Sequence, residues 1–140
     1  MAKIYDSTSE ISIAQDLAAG NVVYKSFARA TKELSSVQSS TITFEVLMPF
    51  SEGLIRRVVL CKQDEQNLAQ VANLILTENQ ILNKIDKILE YNSINFSESY
   101  LDSEEEIYYS SIENKVYAHV NVDGNFSTNL LLRLDIEKVN

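Results

Sequence analysis

The chain has 140 residues, of which 45% are hydrophobic, with one cysteine and a formal net charge of −8. This length predicts a single domain over residues 1–140 with a core that needs no disulfide or metal, and the lone Cys61 excludes an internal disulfide. Residues 63–140 hold five basic and fourteen acidic residues, a balance of −9, which argues against direct nucleic-acid binding.

Other features of the sequence bear on the cellular compartment of the protein. The first ten residues contain no apolar run of a secretory signal, and no stretch approaches the roughly 20 apolar residues of a membrane span. An unpaired cysteine is typical of a reducing compartment. We therefore expect a cytoplasmic protein with no membrane partner.

One or two helices are predicted at the N-terminus. Thr8 or Ser9 would cap a short helix that stops at Gly20. Residues 21–37 then repeat apolar side chains every three or four positions, which predicts a second helix. Its basic residues would form a stripe, either an anion-binding face or a solvated flank. These basic residues are Lys25, Arg29 and Lys32.

Residues 41–62 predict a β-hairpin, because apolar and polar side chains alternate on both sides of a break that starts at Pro49. The expected register pairs Glu45 with Arg57. The same register leaves Arg56 on the apolar face, where it would reach for solvent or pair with a carboxylate. Arg56 and Arg57 are candidate ligands for an anion.

Residues 64–91 predict one long helix, since they contain neither glycine nor proline and their apolar residues are spaced by threes and fours. A break near Thr77 is the alternative, because the residues that follow resemble a capping box. The helix carries a heptad-like seam, which predicts contact with a second copy of the chain. The seam residues named for this interface are Glu78, Leu82, Ile85 and Leu89.

Residues 105–137 predict a three-stranded meander with turns at 113–114 and 123–125. The registers of its two turns agree on one apolar face. The opposite face would carry an amphipathic patch of a kind enriched at protein interfaces. His119 in this patch has no nucleophile placed beside it, so we expect an interface role rather than a general base. The patch comprises Tyr108, Tyr117, His119 and Leu131.

The predicted fold class is α+β. An antiparallel sheet of about five strands, hairpin 41–62 plus meander 105–137, would pack against helix 64–91, with one or two N-terminal helices. The order of the predicted elements is similar to that in the chaperones of bacterial secretion systems. No motif supports this resemblance, and the C-terminal helix that such chaperones usually carry is not predicted here. The resemblance implies a protein-binding role.

The function predicted first is a non-enzymatic, homodimeric binding or assembly protein whose partner is another protein. One alternative is an acidic inhibitor that uses Glu104–Glu106 to occupy a basic or nucleic-acid-binding site. Another is a protein that binds a small anionic ligand. The sequence contains no phosphate loop, no metal-ligand spacing and no supported catalytic triad, so we expect neither a cofactor nor a metal.

Overall fold

The computed structural model describes residues 26–63, 71–95, 101–124 and 127–139. These residues form eight β-strands and one short 3-10 helix, Lys84–Asp86. The strands are β1 (Phe27–Val37), β2 (Ile42–Leu47), β3 (Glu52–Lys62), β4 (Val71–Thr77), β5 (Lys87–Asn95), β6 (Leu101–Ser110), β7 (Lys115–Val122) and β8 (Thr128–Lys138).

The strands form two four-stranded sheets. The first sheet has the order β1-β8-β3-β6 and the second has the order β2-β7-β4-β5. Every pair is antiparallel, and β1 pairs with β8, β2 with β7, β3 with β6 and β4 with β5. A long hairpin that is wrapped into two facing sheets gives this order, which is that of a jelly roll.

The inner faces of the two sheets share one apolar layer. Strand β8 contributes four fully buried side chains in strict alternation, from Leu130 to Ile136, and β7 contributes Val116, Ala118 and Val120. Alternation of this kind is expected where each sheet has one face on the core. The core therefore lies between the sheets.

The predicted α+β class is wrong, because the described residues contain no α-helix. Of the predicted helix 64–91, residues 71–77 form β4 and residues 87–91 lie in β5, while residues 64–70 are outside the described part. Strand β4 lies inside its sheet and buries side chains on both faces, Ile75 and Leu76 included. An apolar run of this kind lacks the period of two that marks a strand. No described helix is long and apolar enough to cross a bilayer.

The second predicted N-terminal helix, 21–37, is also wrong where it is described, because residues 27–37 form the edge strand β1. Lys32 pairs with Leu132 and so shares the core-facing side of β1 with Ala30 and Leu34. A lysine on that face interrupts the alternation of apolar and polar residues by which a strand is recognised in a sequence. Charged side chains that point inward are known to protect sheet edges from pairing with other chains. The first predicted helix lies outside the described residues.

The predicted hairpin 41–62 has correct strand positions and wrong pairing. Strand β2 lies in the second sheet and β3 in the first, so Glu45 is opposite Tyr117 rather than Arg57. A β-bulge between Ile55 and Arg57 shifts the register of β3 on β8. The bulge turns Arg56 away from the core, so both arginines are exposed.

The predicted meander 105–137 is wrong for the same reason. Its three strands exist, but β6 and β8 lie in the first sheet, separated by β3, and β7 lies in the second sheet. The turn 111–114 crosses between the sheets, and Asn114 takes a positive φ of 58° there. Asparagine tolerates this left-handed conformation better than most residues. Turn signals were therefore present in the sequence, but the turns do not join paired strands.

Gly53 allows a close approach of strands at the start of β3. A Cβ atom at this position would lie 2.9 Å from the carbonyl oxygen of Glu137 and 3.0 Å from the ring of Tyr109. We expect Gly53→Ala to lower the free energy of unfolding by about 1–3 kcal/mol through overpacking. Denaturant unfolding measures this loss. The exposed Ser51→Ala change is the control, and equal stability of the two variants would contradict the packing at Gly53.

Candidate protein-binding surface

Three connections meet at one end of the sandwich: residues 48–51, 78–86 and 111–114. Hydrogen bonds hold them together. The Met48 amide donates to the Asn114 carbonyl at 2.7 Å, and the Ser111 amide donates to the Ser51 carbonyl at 2.7 Å. The Ser110 amide donates to the carboxylate of Glu78 at 3.0 Å. We call the surface formed by these three connections the isoleucine end.

The isoleucine end concentrates exposed apolar side chains. Ile112 is 98% exposed, Ile85 is 90% exposed and Ile81 is 82% exposed. All large hydrophobic residues that are exposed in the described part of the chain lie on the three connections or within three residues of them. The full set is Leu47, Ile81, Leu82, Ile85, Tyr108 and Ile112.

Loop 78–86 has a defined conformation. The Asn83 side chain accepts a hydrogen bond from the Ile85 amide at 3.0 Å and caps the 3-10 helix. Lys87 lies 2.8 Å from the Glu90 carboxylate, and Lys84 lies 3.5 Å from it. The hydrogen bond from Lys87 lowers the pKa of Glu90. The exposure of Ile85 is therefore a property of an ordered loop.

A groove of about 450 Å³ separates loop 78–86 from the turn 111–114. Its lining is mixed, with Ile112 and Tyr117 beside Glu78, Glu113 and Lys115. Lys115 also contacts the Glu45 carboxylate at 2.8 Å, and this hydrogen bond raises the pKa of Lys115. The isoleucine end thus has exposed apolar side chains around a groove with polar residues. It contains groups suited to binding another protein surface.

The predicted interface residues of the seam are only partly brought together. Glu78, Leu82 and Ile85 lie on loop 78–86, where Ile85 and Glu78 are exposed. Leu89 is 6% exposed and belongs to the core. The shared helical seam is therefore wrong. An interface role for the three loop residues stays a prediction.

The four residues of the predicted amphipathic patch are divided between two sheets. Tyr108 lies on β6 and Leu131 on β8, in the first sheet, while Tyr117 and His119 lie on β7 in the second sheet. Tyr117 lines the groove of the isoleucine end. His119 is buried, so it is not an exposed contact residue. No single patch contains all four side chains.

Three of the predicted anion ligands form ion pairs on the first sheet. Arg57 binds Asp102 through two nitrogens, with Nε at 2.7 Å from Oδ1 and Nη2 at 2.5 Å from Oδ2. This hydrogen bonding lowers the pKa of Asp102 and raises that of Arg57. The other pairs are Arg29 with Asp135 at 2.8 Å and Arg56 with Glu106 at 3.4 Å.

An anion would have to compete with the carboxylates that already neutralise these arginines. Lys32 lies apart from them, half-buried on the core-facing side of β1, and Lys25 is outside the described residues. The four predicted cations that the structure describes therefore do not converge as a set. Anion binding stays an untested prediction.

The acidic residues 104–106 do not form one free surface. Glu104 and Glu106 are exposed, and Glu105 is half-buried. The Tyr91 hydroxyl donates to Glu105, as does the Ser103 hydroxyl at 2.7 Å. Burial raises the pKa of Tyr91 to about 12. Because Tyr91 lies on β5 and Glu105 on β6, their hydrogen bond joins the edges of the two sheets.

Comparison with known proteins gives a likeness of fold alone. No protein-family model and no curated protein matches this chain. Among solved structures, the chain is similar to a chain of the acidic stable capsid structure of Helicobacter pylori bacteriophage KHP30. The two are 14% identical with a TM-score of 0.53, and the match covers 80% of this chain and 87% of the other.

Exposure at the isoleucine end predicts unequal effects of two neighbouring substitutions. We expect Ile85→Glu to change the free energy of unfolding by less than about 0.5 kcal/mol, because the side chain is in solvent. We expect Leu89→Ala to lower it by about 2–5 kcal/mol, because the side chain is in the core. Denaturant unfolding measures both. Similar losses at the two positions would instead fit a shared buried seam.

Proposed function

We propose that the protein is a non-enzymatic assembly protein that associates with a second copy of itself through the isoleucine end. The observation that carries this proposal is the concentration of exposed apolar side chains at one end of the sandwich. Exposed apolar groups gathered in one place are typical of protein interaction sites. Burying them would contribute about 25 cal/mol per Å² of apolar surface.

The charges around the isoleucine end favour a second copy as the occupant. Lys84, Lys87 and Lys115 lie among Glu45, Glu78 and Glu113, so both signs occur on the same surface. A twofold interface must be complementary to itself. A surface that holds both signs around apolar residues meets that requirement, whereas a surface of one sign would repel its copy.

The likeness of fold adds support for assembly. Jelly rolls are common in viral capsids, although they also occur in lectins and cupins. The similar solved chain belongs to a bacteriophage capsid. We therefore propose that self-association serves a larger protein assembly of this kind. Fold alone does not determine function, so the weight of the proposal rests on the exposed surface.

The other candidate functions have less support from the contacts. A polyanion mimic would present its acids to the target, but Glu105 binds Tyr91 and Glu106 pairs with Arg56. A small-anion site would need free cations, but Arg29 and Arg57 are paired with carboxylates. No observation on the described residues favours either function over assembly.

Light scattering over a range of concentrations tests the proposal. We expect the wild-type mass to rise with concentration toward twice 15.8 kDa. The double variant Ile81→Glu with Ile112→Glu should remain at 15.8 kDa, because charges would replace the apolar contact groups. Ser39→Glu with Ser40→Glu adds the same charge on an exposed turn at the other end of the sandwich and should behave as wild type.

Two results would overturn self-association through this surface. One is a wild-type protein that stays monomeric at every concentration. The other is a double isoleucine variant that associates as strongly as wild type. If the wild type is monomeric but binds a different protein only while its isoleucines are intact, the surface is an interface and the proposed second copy is wrong.

A further inference from the structure

The two sheets have four edge strands: β1 and β6 in the first sheet, and β2 and β5 in the second. An edge strand presents unpaired backbone N–H and C=O groups, to which a strand of another chain can bind. Proteins usually protect such edges with inward charges, β-bulges or covering groups. In the described part of the chain, three edges carry such protection and β2 does not.

The protection differs among the other three edges. Lys32 lies on the core-facing side of β1. The register of β5 on β4 shifts at two places, and Ser93 within β5 has a positive φ of 57°. The register of β6 on β3 also shifts, and the carboxylate of Glu78 accepts a hydrogen bond from the Ser110 amide of β6 at 3.0 Å. An inward charge, irregular backbone and a bound carboxylate therefore oppose the addition of a strand at these edges.

Strand β2, whose residues are all described, has none of these features. It pairs with β7 from Ile42 to Leu47 in a single register, and its only charged residue, Glu45, lies on the outer face. Its core-facing side chains are apolar: Val46 is buried, and Ile42 and Phe44 are half-buried. No described strand pairs with the other side of β2. A regular apolar edge of this kind is a predicted site of strand pairing.

The backbone of β2 presents three residues to its open edge. The Met48 amide donates to the Asn114 carbonyl, on the side of β7. Successive residues of a strand direct their N–H and C=O groups to alternate sides, so every second residue back from Met48 bonds to β7 and the residues between them face outward. The outward residues are Thr43, Glu45 and Leu47. An added strand would bond to these three residues.

We propose that β2 binds an extended basic segment of another protein, which adds to the second sheet as a fifth strand. Addition of a strand to an open edge is an established mode of peptide recognition, in which the backbone gives affinity and alternate side chains give specificity. Apolar side chains of the segment would lie beside Phe44, and its basic side chains would lie on the outer face beside Glu45.

Charge selects a basic segment over an acidic one. Lys115 contacts the Oε1 atom of Glu45 at 2.8 Å, while the Glu45 side chain stays 47% exposed and accessible to a second cation. The chain as a whole has a net charge of −8, which attracts a basic partner and repels an acidic one.

A second copy of the chain fits this edge less well. Antiparallel pairing of two β2 strands through all three outward residues places Glu45 opposite the same residue of the other copy. Like charges directly opposite each other destabilise a strand pair. The edge also runs along the side of the sandwich, whereas the isoleucine end lies beyond the strand ends. The proposal therefore goes beyond the proposed function and does not rest on it.

Amide hydrogen exchange with a synthetic peptide tests the proposal in dilute protein. The probe is a blocked heptapeptide of alternating lysine and valine. At a peptide concentration about ten times its Kd, we expect the amides of Thr43, Glu45 and Leu47 to exchange about tenfold more slowly. Unchanged exchange of these amides up to about 1 mM peptide would overturn the proposal. Equal slowing by a heptapeptide of alternating glutamate and valine would overturn the selection of a basic segment.

The amide of Glu33 on β1 is the internal reference. The Lys138 amide donates to the Ser26 carbonyl at 2.8 Å, and the same alternation then turns the Glu33 amide toward the open edge of β1. Its exchange should not change when the peptide is added. Slowing at Glu33 equal to that at Glu45 would show that the peptide adds to any open edge, and would overturn the selection of β2.

Two proline variants separate strand addition from attraction of charges. Glu45→Pro removes an outward N–H that β7 does not use, so the fold is kept and the added strand is blocked. Glu33→Pro makes the same change on β1. We expect Glu45→Pro to lose the slowing at Thr43 and Leu47, and Glu33→Pro to behave as wild type. Retained slowing in a folded Glu45→Pro variant would contradict the proposal. If this variant does not fold, the wild-type pattern at the three outward amides decides.

Light scattering of the same samples distinguishes this proposal from the proposed function. A wild type that stays monomeric but shows the slowing would overturn the proposed function and leave strand addition intact. A wild type that associates through the isoleucine end without the slowing would overturn only strand addition. Protection of the three outward amides that grows with protein concentration, with no peptide present, would show that a second copy occupies β2 and would overturn the proposed partner.

Discussion

The fold depends on the burial of β8 between two neighbours and beneath the second sheet. Its inward side chains, from Leu130 to Ile136, are fully buried, and the strand pairs with β1 on one side and β3 on the other. Strand β8 thus completes the sheet in which β1 is an edge strand. Apolar burial of this kind is the dominant favourable term in folding.

This wrapping also builds the isoleucine end. Successive strands run in opposite directions across the two sheets, so the connections that follow β2, β4 and β6 all reach the same end. The hydrogen bonds of Ser110 with Glu78 and of Ser111 with Ser51 then hold these connections together. Residues far apart in the sequence become one surface without any local motif.

The sequence predicted strands where one face is buried and the other is solvated. Alternation correctly located β2, β3, β7 and β8, and it located only the second half of β6. It failed at β4, which is apolar on both faces, and at β1, where Lys32 occupies a core-facing position. The strand pairing could not be predicted, because turns between neighbouring strands suggested hairpins, whereas most of the true partners are distant in sequence. The bulge at Arg56 could not be predicted either.

The candidate surface was predicted only in part. Leu82 and Ile85 were named as interface residues on a helix that does not exist, and they lie on an exposed loop. Ile112 was missed, although an isoleucine between Ser111 and Glu113 in a polar turn is a recognisable signal of an exposed apolar group. Leu47 was also missed, although the alternation of β2 gives it a solvent-facing position.

NMR contacts between backbone protons of facing strands test the pairing of strands that are distant in sequence. Phe44 on β2 is the most informative position, because it lies opposite Ala118 of β7. We expect cross-strand nuclear Overhauser effects between the neighbourhoods of Phe44 and Ala118. Contacts of Phe44 with Val58, as in a local hairpin, would contradict the jelly roll and with it the isoleucine end.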